Sequence, residues 1–154
     1  MVEYQQFVIW ISKLGLSLGL GLFLGWEREH QKKPAGLRDI ALITVGSTIF
    51  AILALELVEL TKIYEGVIRY DLGRIFAYVI ASIGFLGSGV ILQNKNQLAG
   101  ITTAGALWAV VGIGLLVGIG QYSLGIICAI FIYFILKLKH INTSVRRKIR
   151  KRRK

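Results

Sequence analysis

Long apolar runs alternate with short polar stretches along this chain. Each run is close to the ~20 residues that an α-helix needs to cross a hydrocarbon core of ~30 Å. The pattern therefore predicts an all-α polytopic membrane protein with five transmembrane helices. We place these helices at residues 4–25, 39–58, 72–93, 98–118 and 122–138.

Composition agrees with this interpretation. Apolar residues make up 55% of the chain and charged residues 18%, whereas soluble domains are about 45–50% apolar and about 25% charged. The charges are also gathered into a few clusters instead of being spread over helix faces. We therefore expect one transmembrane domain at residues 1–138, followed by a basic tail at residues 139–154.

A net charge of +11 is compatible with two kinds of binding partner, nucleic acid and anionic membrane lipid. Ten of the 19 lysine and arginine residues lie beyond Ile135, directly after the last apolar run. A basic segment in that position is typical of contact with anionic lipid headgroups on the cytoplasmic side. We accordingly predict that the tail binds membrane lipids and that the protein does not bind nucleic acid.

The distribution of lysine and arginine also predicts the orientation. With five crossings, the first loop, the third loop and the tail share one side of the membrane, and together they hold fifteen of the nineteen basic residues. The positive-inside rule places that side in the cytoplasm. The N-terminus is then outside and the C-terminus inside.

A dense polar segment at residues 25–39 separates the first two apolar runs. We expect Glu27, Arg28, Arg38 and Asp39 to form one mutually neutralising charge cluster, with Arg38→Ala more harmful than Lys32→Ala. The segment is interpreted either as a capped turn that fixes two helix ends or as a ligand or partner surface. Asp39 would favour the start of the second helix, where an acid complements the helix dipole.

Other polar residues lie within or beside the apolar runs. Lys13 is expected to extend its side chain outward to the membrane surface. Glu56 and Arg74 fall near the outer ends of neighbouring helices, so we expect them to form a pair. Trp108 lies deeper and is expected to pack between helices.

Glycine is frequent in the predicted helices, often with the small-xxx-small spacing that allows close helix contact in membranes. The first run has Gly15, Gly19, Gly21 and Gly25, and the fourth has Gly112, Gly114, Gly118 and Gly120. In the third run, Gly84, Gly87 and Gly89 favour tight packing. The alternative is that this segment breaks its helix and exposes backbone carbonyls.

Three motifs together resemble the signatures of the MgtC/SapB family of membrane proteins. The first includes Glu27, Arg28, Pro34, Gly36 and Arg38, the second includes Arg74, Gly84, Gly87 and Gly89, and the third includes Thr102, Thr103 and Trp108. The motifs occur in the family's order and cover most of the chain. With Asp39, these are the candidate functional residues.

The resemblance implies a small bacterial inner-membrane protein tied to growth in low magnesium, survival inside macrophages, and phosphate and ATP balance. Similar proteins act on other membrane machines, notably the proton-driven ATP synthase, which implies a membrane-protein partner. Two departures from the family are visible. Arg38-Asp39-Ile40 stands where the family often reads Arg-Thr-His, and a basic run stands where many relatives have a soluble C-terminal domain, so we expect no regulation through such a domain.

Three classes of function remain to be weighed. A regulator that binds a membrane partner is favoured, and an ion transporter or channel formed by a homo-oligomer is the alternative. Magnesium prefers octahedral oxygen ligands that often include carboxylates, yet no acid lies at mid-depth in any apolar run. An enzyme is not expected, because zinc-site spacing, nucleophile–base sets and phosphate loops are all missing from the sequence. We predict neither a cofactor nor a metal site.

Overall fold

The computed structural model consists of five α-helices. Its backbone is described for residues 2–63, 71–92 and 100–152, and its side chains for residues 4–60, 71–91 and 100–138. Most of the second and third loops and the side chains of the basic tail lie outside these residues. The helices are α1 (Val2–His30), α2 (Leu37–Ile63), α3 (Leu72–Leu92), α4 (Ile101–Gly118) and α5 (Tyr122–Arg152).

The helices confirm a multi-pass, all-helical membrane architecture. Within the described chain, α1 to α4 each contain a stretch long and apolar enough to cross a membrane, and the apolar part of α5, Tyr122–Leu138, is shorter. The first two helices are longer than predicted, since α1 continues through Gly25 to His30 and α2 begins at Leu37. The predicted loop at residues 25–39 is therefore reduced to residues 31–36.

Helix α4 is the centre of the bundle and packs against the other four helices. Ten of its residues are buried, including Gly114 and Gly118. A methyl group added at Gly114 would collide with the Ser47 side chain and the Thr44 carbonyl of α2, and one at Gly118 would collide with Ala51. The small residues therefore let α2 and α4 approach at backbone distance, as the sequence predicted.

A second close contact joins α1 to α2. A Cβ atom at Gly21 would lie 2.9 Å from the Cα atom of Ala41, and one at Gly25 would lie 2.8 Å from the Cα atom of Leu37. By contrast, Gly15 and Gly19 on α1 face open space. Helix α1 has two small-xxx-small pairs, Gly15 with Gly19 and Gly21 with Gly25. Only the second pair packs against another helix of the chain.

Helix α3 is continuous from Leu72 to Leu92, so the alternative of a break at Gly84–Gly89 is wrong. Gly87 is buried, and a Cβ atom there would lie 3.4 Å from the Cβ atom of Ala104 on α4. A Cβ atom added at Gly84 or Gly89 would meet nothing within 4 Å, and both residues are exposed. Packing within the chain is therefore confirmed for Gly87, whereas Gly84 and Gly89 make no such contact within the chain.

Candidate functional site

The turn between α1 and α2 begins with a Schellman motif, a pair of backbone hydrogen bonds that closes a helix C-terminus. The amide of Lys33 donates to the Arg28 carbonyl at 3.0 Å, and the amide of Lys32 donates to the Glu29 carbonyl at 2.9 Å. Lys32 has a φ of 53°, the left-handed conformation that this position requires and that glycine usually provides. The motif ends α1 and turns the chain toward α2.

Arg28 connects three parts of the molecule. Its side chain is 2% exposed. Its Nε atom donates to the Ala35 carbonyl at 3.0 Å, and one terminal nitrogen donates to the Pro34 carbonyl at 2.7 Å and to Thr103 Oγ1 at 2.6 Å. One guanidinium therefore fixes the end of α1, the turn at residues 31–36 and the start of α4.

The acids of this region have different partners. Glu29 accepts a hydrogen bond from the Leu37 amide at 3.0 Å, and Asp39 accepts one from the Gly36 amide at 3.2 Å. Glu27 accepts one from the Gln31 side chain. Glu29 and Asp39 thus lie beside the start of α2, where free amides and the helix dipole favour negative charge.

The predicted charge cluster of Glu27, Arg28, Arg38 and Asp39 is therefore wrong. In the described part of the chain, neither arginine lies within 4.0 Å of a carboxylate, and Arg38 is exposed. The reason is helical geometry. Because α1 continues to His30, Arg28 reaches Thr103 at the start of α4, while Glu27 accepts from the Gln31 side chain and Asp39 from the Gly36 amide.

The opposite end of the bundle contains a polar contact that the sequence did not predict. Lys13 Nζ donates to the Gly118 carbonyl at 2.8 Å, at the end of α4. The side chain therefore binds the terminus of α4 at the end of the bundle opposite the turn between α1 and α2, which is the outer end in the predicted topology. A cation is favourable there because unpaired carbonyls and the helix dipole make the C-terminus of a helix negative. The signal in the sequence was a lysine within an apolar run.

The predicted pair of Glu56 and Arg74 is also wrong. Glu56 Oε1 accepts hydrogen bonds from Gln6 Nε2 at 2.9 Å and Trp10 Nε1 at 3.3 Å. Arg74 is exposed and lies 3.7 Å from Asp71. Asp71 immediately precedes α3, so its carboxylate lies one helical turn before Arg74. Arg74 is at the N-terminal end of α3, away from Gly84, Gly87 and Gly89 of the same motif.

The comparisons with known proteins agree with the resemblance described above. Residues 14–144 match the MgtC family. This chain belongs to the MgtC family. It is 37% identical to an uncharacterized protein of Haemophilus influenzae, 35% identical to Protein SapB of Bacillus subtilis, and 32% identical to the Putative magnesium transporter YhiD of Escherichia coli.

These alignments cover most of this chain but not of the relatives. They include 95%, 79% and 88% of the chain, and 62%, 53% and 61% of the respective relative. The chain thus spans between about half and three-fifths of the length of these curated relatives. No solved structure matches it.

The three family motifs meet around the start of α4. Arg28 of the first motif binds Thr103 of the third, and Gly87 of the second packs against Ala104, the residue that follows Thr103. Pro34 contributes its carbonyl to Arg28. Gly36 lies against Glu29, with a Cβ position 3.1 Å from the carboxylate. The structure therefore brings together residues from distant parts of the sequence, as one structural junction.

Two residues of the third motif lie outside this junction. Thr102 is exposed, although its neighbour Thr103 is 3% exposed. Trp108 is 60% exposed, so the expectation that it packs between helices is wrong. Both side chains point away from the centre of the bundle because Thr103, Leu107 and Val110 occupy the buried face of α4.

Among the described residues, no three histidine, cysteine or acidic side chains lie close enough together to hold a metal ion.

Proposed function

We propose that this protein regulates a partner complex within the membrane, and that it acts in magnesium, phosphate or ATP homeostasis without catalysing a reaction. Family membership supports the connection to magnesium, as does the name of the E. coli relative, Putative magnesium transporter YhiD. The family resemblance points to the proton-driven ATP synthase as the partner. The proposed location is the inner membrane, with the basic tail on cytoplasmic anionic headgroups.

The observation that carries this proposal is the exposed face of α4. Ile101, Gly105 and Trp108 are exposed and Gly112 is half-buried, and the four recur at helical spacing on one face of this helix, ten of whose eighteen residues are buried. Gly105 and Gly112 have nothing within 4 Å of a Cβ position, and Trp108 projects between them. Small residues permit close helix approach, and tryptophan is a frequent anchor at interfaces. The face therefore fits a helix of a membrane partner.

The interior of the bundle supports a regulator over a carrier. Ser17 donates to the Leu14 carbonyl at 3.2 Å and Thr44 donates to the Ile40 carbonyl at 2.7 Å. Thr48 donates to the Gly114 carbonyl of α4 at 2.9 Å. Each of these buried hydroxyls donates to a backbone carbonyl of a helix. At Gly114, α2 and α4 are in direct contact and leave no room between them. The interior is thus used for packing.

The alternative function is an ion transporter or channel formed by an oligomer. It is favoured by the name of the E. coli relative, Putative magnesium transporter YhiD. In that case the ion pathway would lie between subunits, since α4 fills the centre of one chain.

Trp108→Ala tests the regulatory proposal, with Phe131→Ala as the matched control. Phe131 is a similarly exposed aromatic residue, at 67%, but lies on α5. Both variants would be expressed with an affinity tag, and co-purifying membrane proteins, growth in limiting magnesium and cellular ATP would be measured. We expect Trp108→Ala alone to lose the partner and the phenotype. Equal behaviour of the two variants would contradict a partner surface on α4.

Reconstituted liposomes distinguish the regulator from the transporter. The purified protein would be placed in vesicles that contain a magnesium-sensitive dye, with magnesium added outside. We expect the dye signal to match that of protein-free vesicles. Protein-dependent magnesium entry would overturn the regulatory proposal in favour of the transporter.

A further inference from the structure

A groove of about 1360 Å³ runs between α1 and α2 on the outside of the bundle. Its apolar walls include Ile11, Leu18 and Leu22 of α1 and Leu42 of α2, and Gly15 lies on its floor. A Cβ atom at Gly15 would meet nothing within 4 Å. The groove is therefore a recess left open by a glycine, at a depth where hydrocarbon chains surround the protein.

The length of the apolar part corresponds to one leaflet. Ile11 and Leu22 are separated by eleven residues, which is about 16 Å along a helix. Half of a ~30 Å hydrocarbon core is about 15 Å. One extended acyl chain would thus occupy the groove and leave its headgroup at the end formed by the turn between α1 and α2.

That end of the groove has a rim of mixed charge. It contains Lys33 and Arg38 together with Glu29 and Asp39. The two basic side chains have no hydrogen-bond or ion-pair partner among the described residues, while each acid uses one oxygen to accept a backbone amide. Two cationic side chains and two carboxylates therefore line the end of the groove where a lipid headgroup would lie. Each of the four can still form a hydrogen bond or ion pair with that headgroup.

We infer that this groove binds a glycerophospholipid with a zwitterionic, ammonium-bearing headgroup of the phosphatidylethanolamine type. Its phosphate lies against Lys33 and Arg38, and its ammonium group donates to Glu29 and Asp39, as charge-assisted hydrogen bonds. A purely anionic headgroup such as that of phosphatidylglycerol would bring the same phosphate to Lys33 and Arg38 but would offer the two carboxylates no positive charge. A choline headgroup has no N–H donor, and its usual aromatic partners are missing from the described lining.

The inference is tested by lipid retention. The full chain would be extracted from vesicles that contain phosphatidylethanolamine, phosphatidylglycerol and phosphatidylcholine in equal amounts, and retained lipid would be measured by native mass spectrometry. Exposed charge pairs are individually weak, so we expect phosphatidylethanolamine to be enriched by about two- to fivefold. Equal retention of the three lipids, or a preference for phosphatidylglycerol or phosphatidylcholine, would overturn the inference.

Rim variants separate the roles of the charges. Glu29→Gln with Asp39→Asn keeps a side-chain oxygen for the backbone amides but removes both negative charges, so we expect the preference to move to phosphatidylglycerol. Arg38→Gln should weaken retention of all three lipids, whereas Lys32→Gln, outside the groove, should not. An unchanged lipid preference in the double variant would contradict the assigned rim.

A groove variant separates a lipid from a second protein chain as the occupant. Gly15→Leu fills open space and should abolish retention, while Gly84→Leu, at an equally open position on α3, should preserve it. If Gly15→Leu instead disrupts a dimer in detergent without affecting lipid retention, the groove is an interface between two copies and the inference is wrong. The rim variants, all on exposed side chains, provide the test even if Gly15→Leu fails to fold.

Discussion

Arg28 and Thr103 are joined by a hydrogen bond of 2.6 Å across 75 residues of sequence. Lys13 lies fifteen residues before Arg28, and its partner Gly118 lies fifteen residues after Thr103. The two contacts are thus fifteen residues, or about 22 Å, apart on both helices, so the antiparallel helices α1 and α4 lie side by side without a shift between the contacts. Two cationic side chains thus hold α1 against the central helix at both ends of the bundle.

Thr103→Val should destabilise the protein, because it leaves an N–H of the buried Arg28 without its acceptor. The expected loss is about 1–3 kcal/mol, seen as a lower midpoint of thermal unfolding in detergent. Thr102→Val is the matched control, since Thr102 is the adjacent, exposed threonine. Equal midpoints for the two variants would show that the bond to Thr103 does not contribute to stability.

Arg28→Ala should be far more harmful than Arg38→Ala. Arg28 is buried and has three acceptors, whereas Arg38 is exposed. Surface substitutions usually change stability by less than about 0.5 kcal/mol, so Arg38→Ala should resemble Lys32→Ala. This equality replaces the expectation from sequence that Arg38→Ala is more harmful than Lys32→Ala. Expression level and unfolding midpoint of the three variants would decide between the two expectations.

Gly114→Ala should disrupt the contact between α2 and α4, because its methyl group would overlap Ser47 and the Thr44 carbonyl. Overpacking costs about 1–3 kcal/mol, and more where backbone must move. Gly112→Ala is the control, since a Cβ atom there meets nothing within 4 Å. Size-exclusion profiles and unfolding midpoints in detergent measure the difference. A stable Gly114→Ala variant would contradict the close contact.

Lys32→Gly should stabilise the protein by about 0.5–1 kcal/mol, because Lys32 adopts a φ of 53° that glycine tolerates without steric cost. The same motif at the end of α4 has Gly120 in this position, with a φ of 89°. Lys33→Gly, one residue further on, should give no such gain. An unfolding midpoint for Lys32→Gly at or below that of the parent protein would contradict the argument.

The predicted orientation places the N-terminus outside. Single cysteines at Tyr4 and Lys33, in a Cys128→Ser background, would be exposed to a membrane-impermeant thiol reagent on intact cells. We expect labelling at position 4 directly and at position 33 only after permeabilisation. The opposite pattern would reverse the orientation and place the basic side outside.

The helical architecture could be predicted from the sequence because the bilayer leaves a chain few options. In the hydrocarbon core, each backbone amide and carbonyl must bind within the protein, so apolar runs of this length become helices. The family motifs were also readable, since they consist of residue types at set spacings. The sequence therefore determined the fold class and the family of the protein.

Which side chains meet was decided only by the tertiary structure. Successive residues point about 100° apart around a helix, so the partner of a side chain depends on how each helix is rotated and where its neighbours lie. Gly114 packs against α2, whereas Gly112, two residues earlier, faces open space. Arg28 binds two carbonyls and a threonine in place of the acids beside it in the sequence. Trp108 faces outward because Leu107 and Val110 take the buried side of α4.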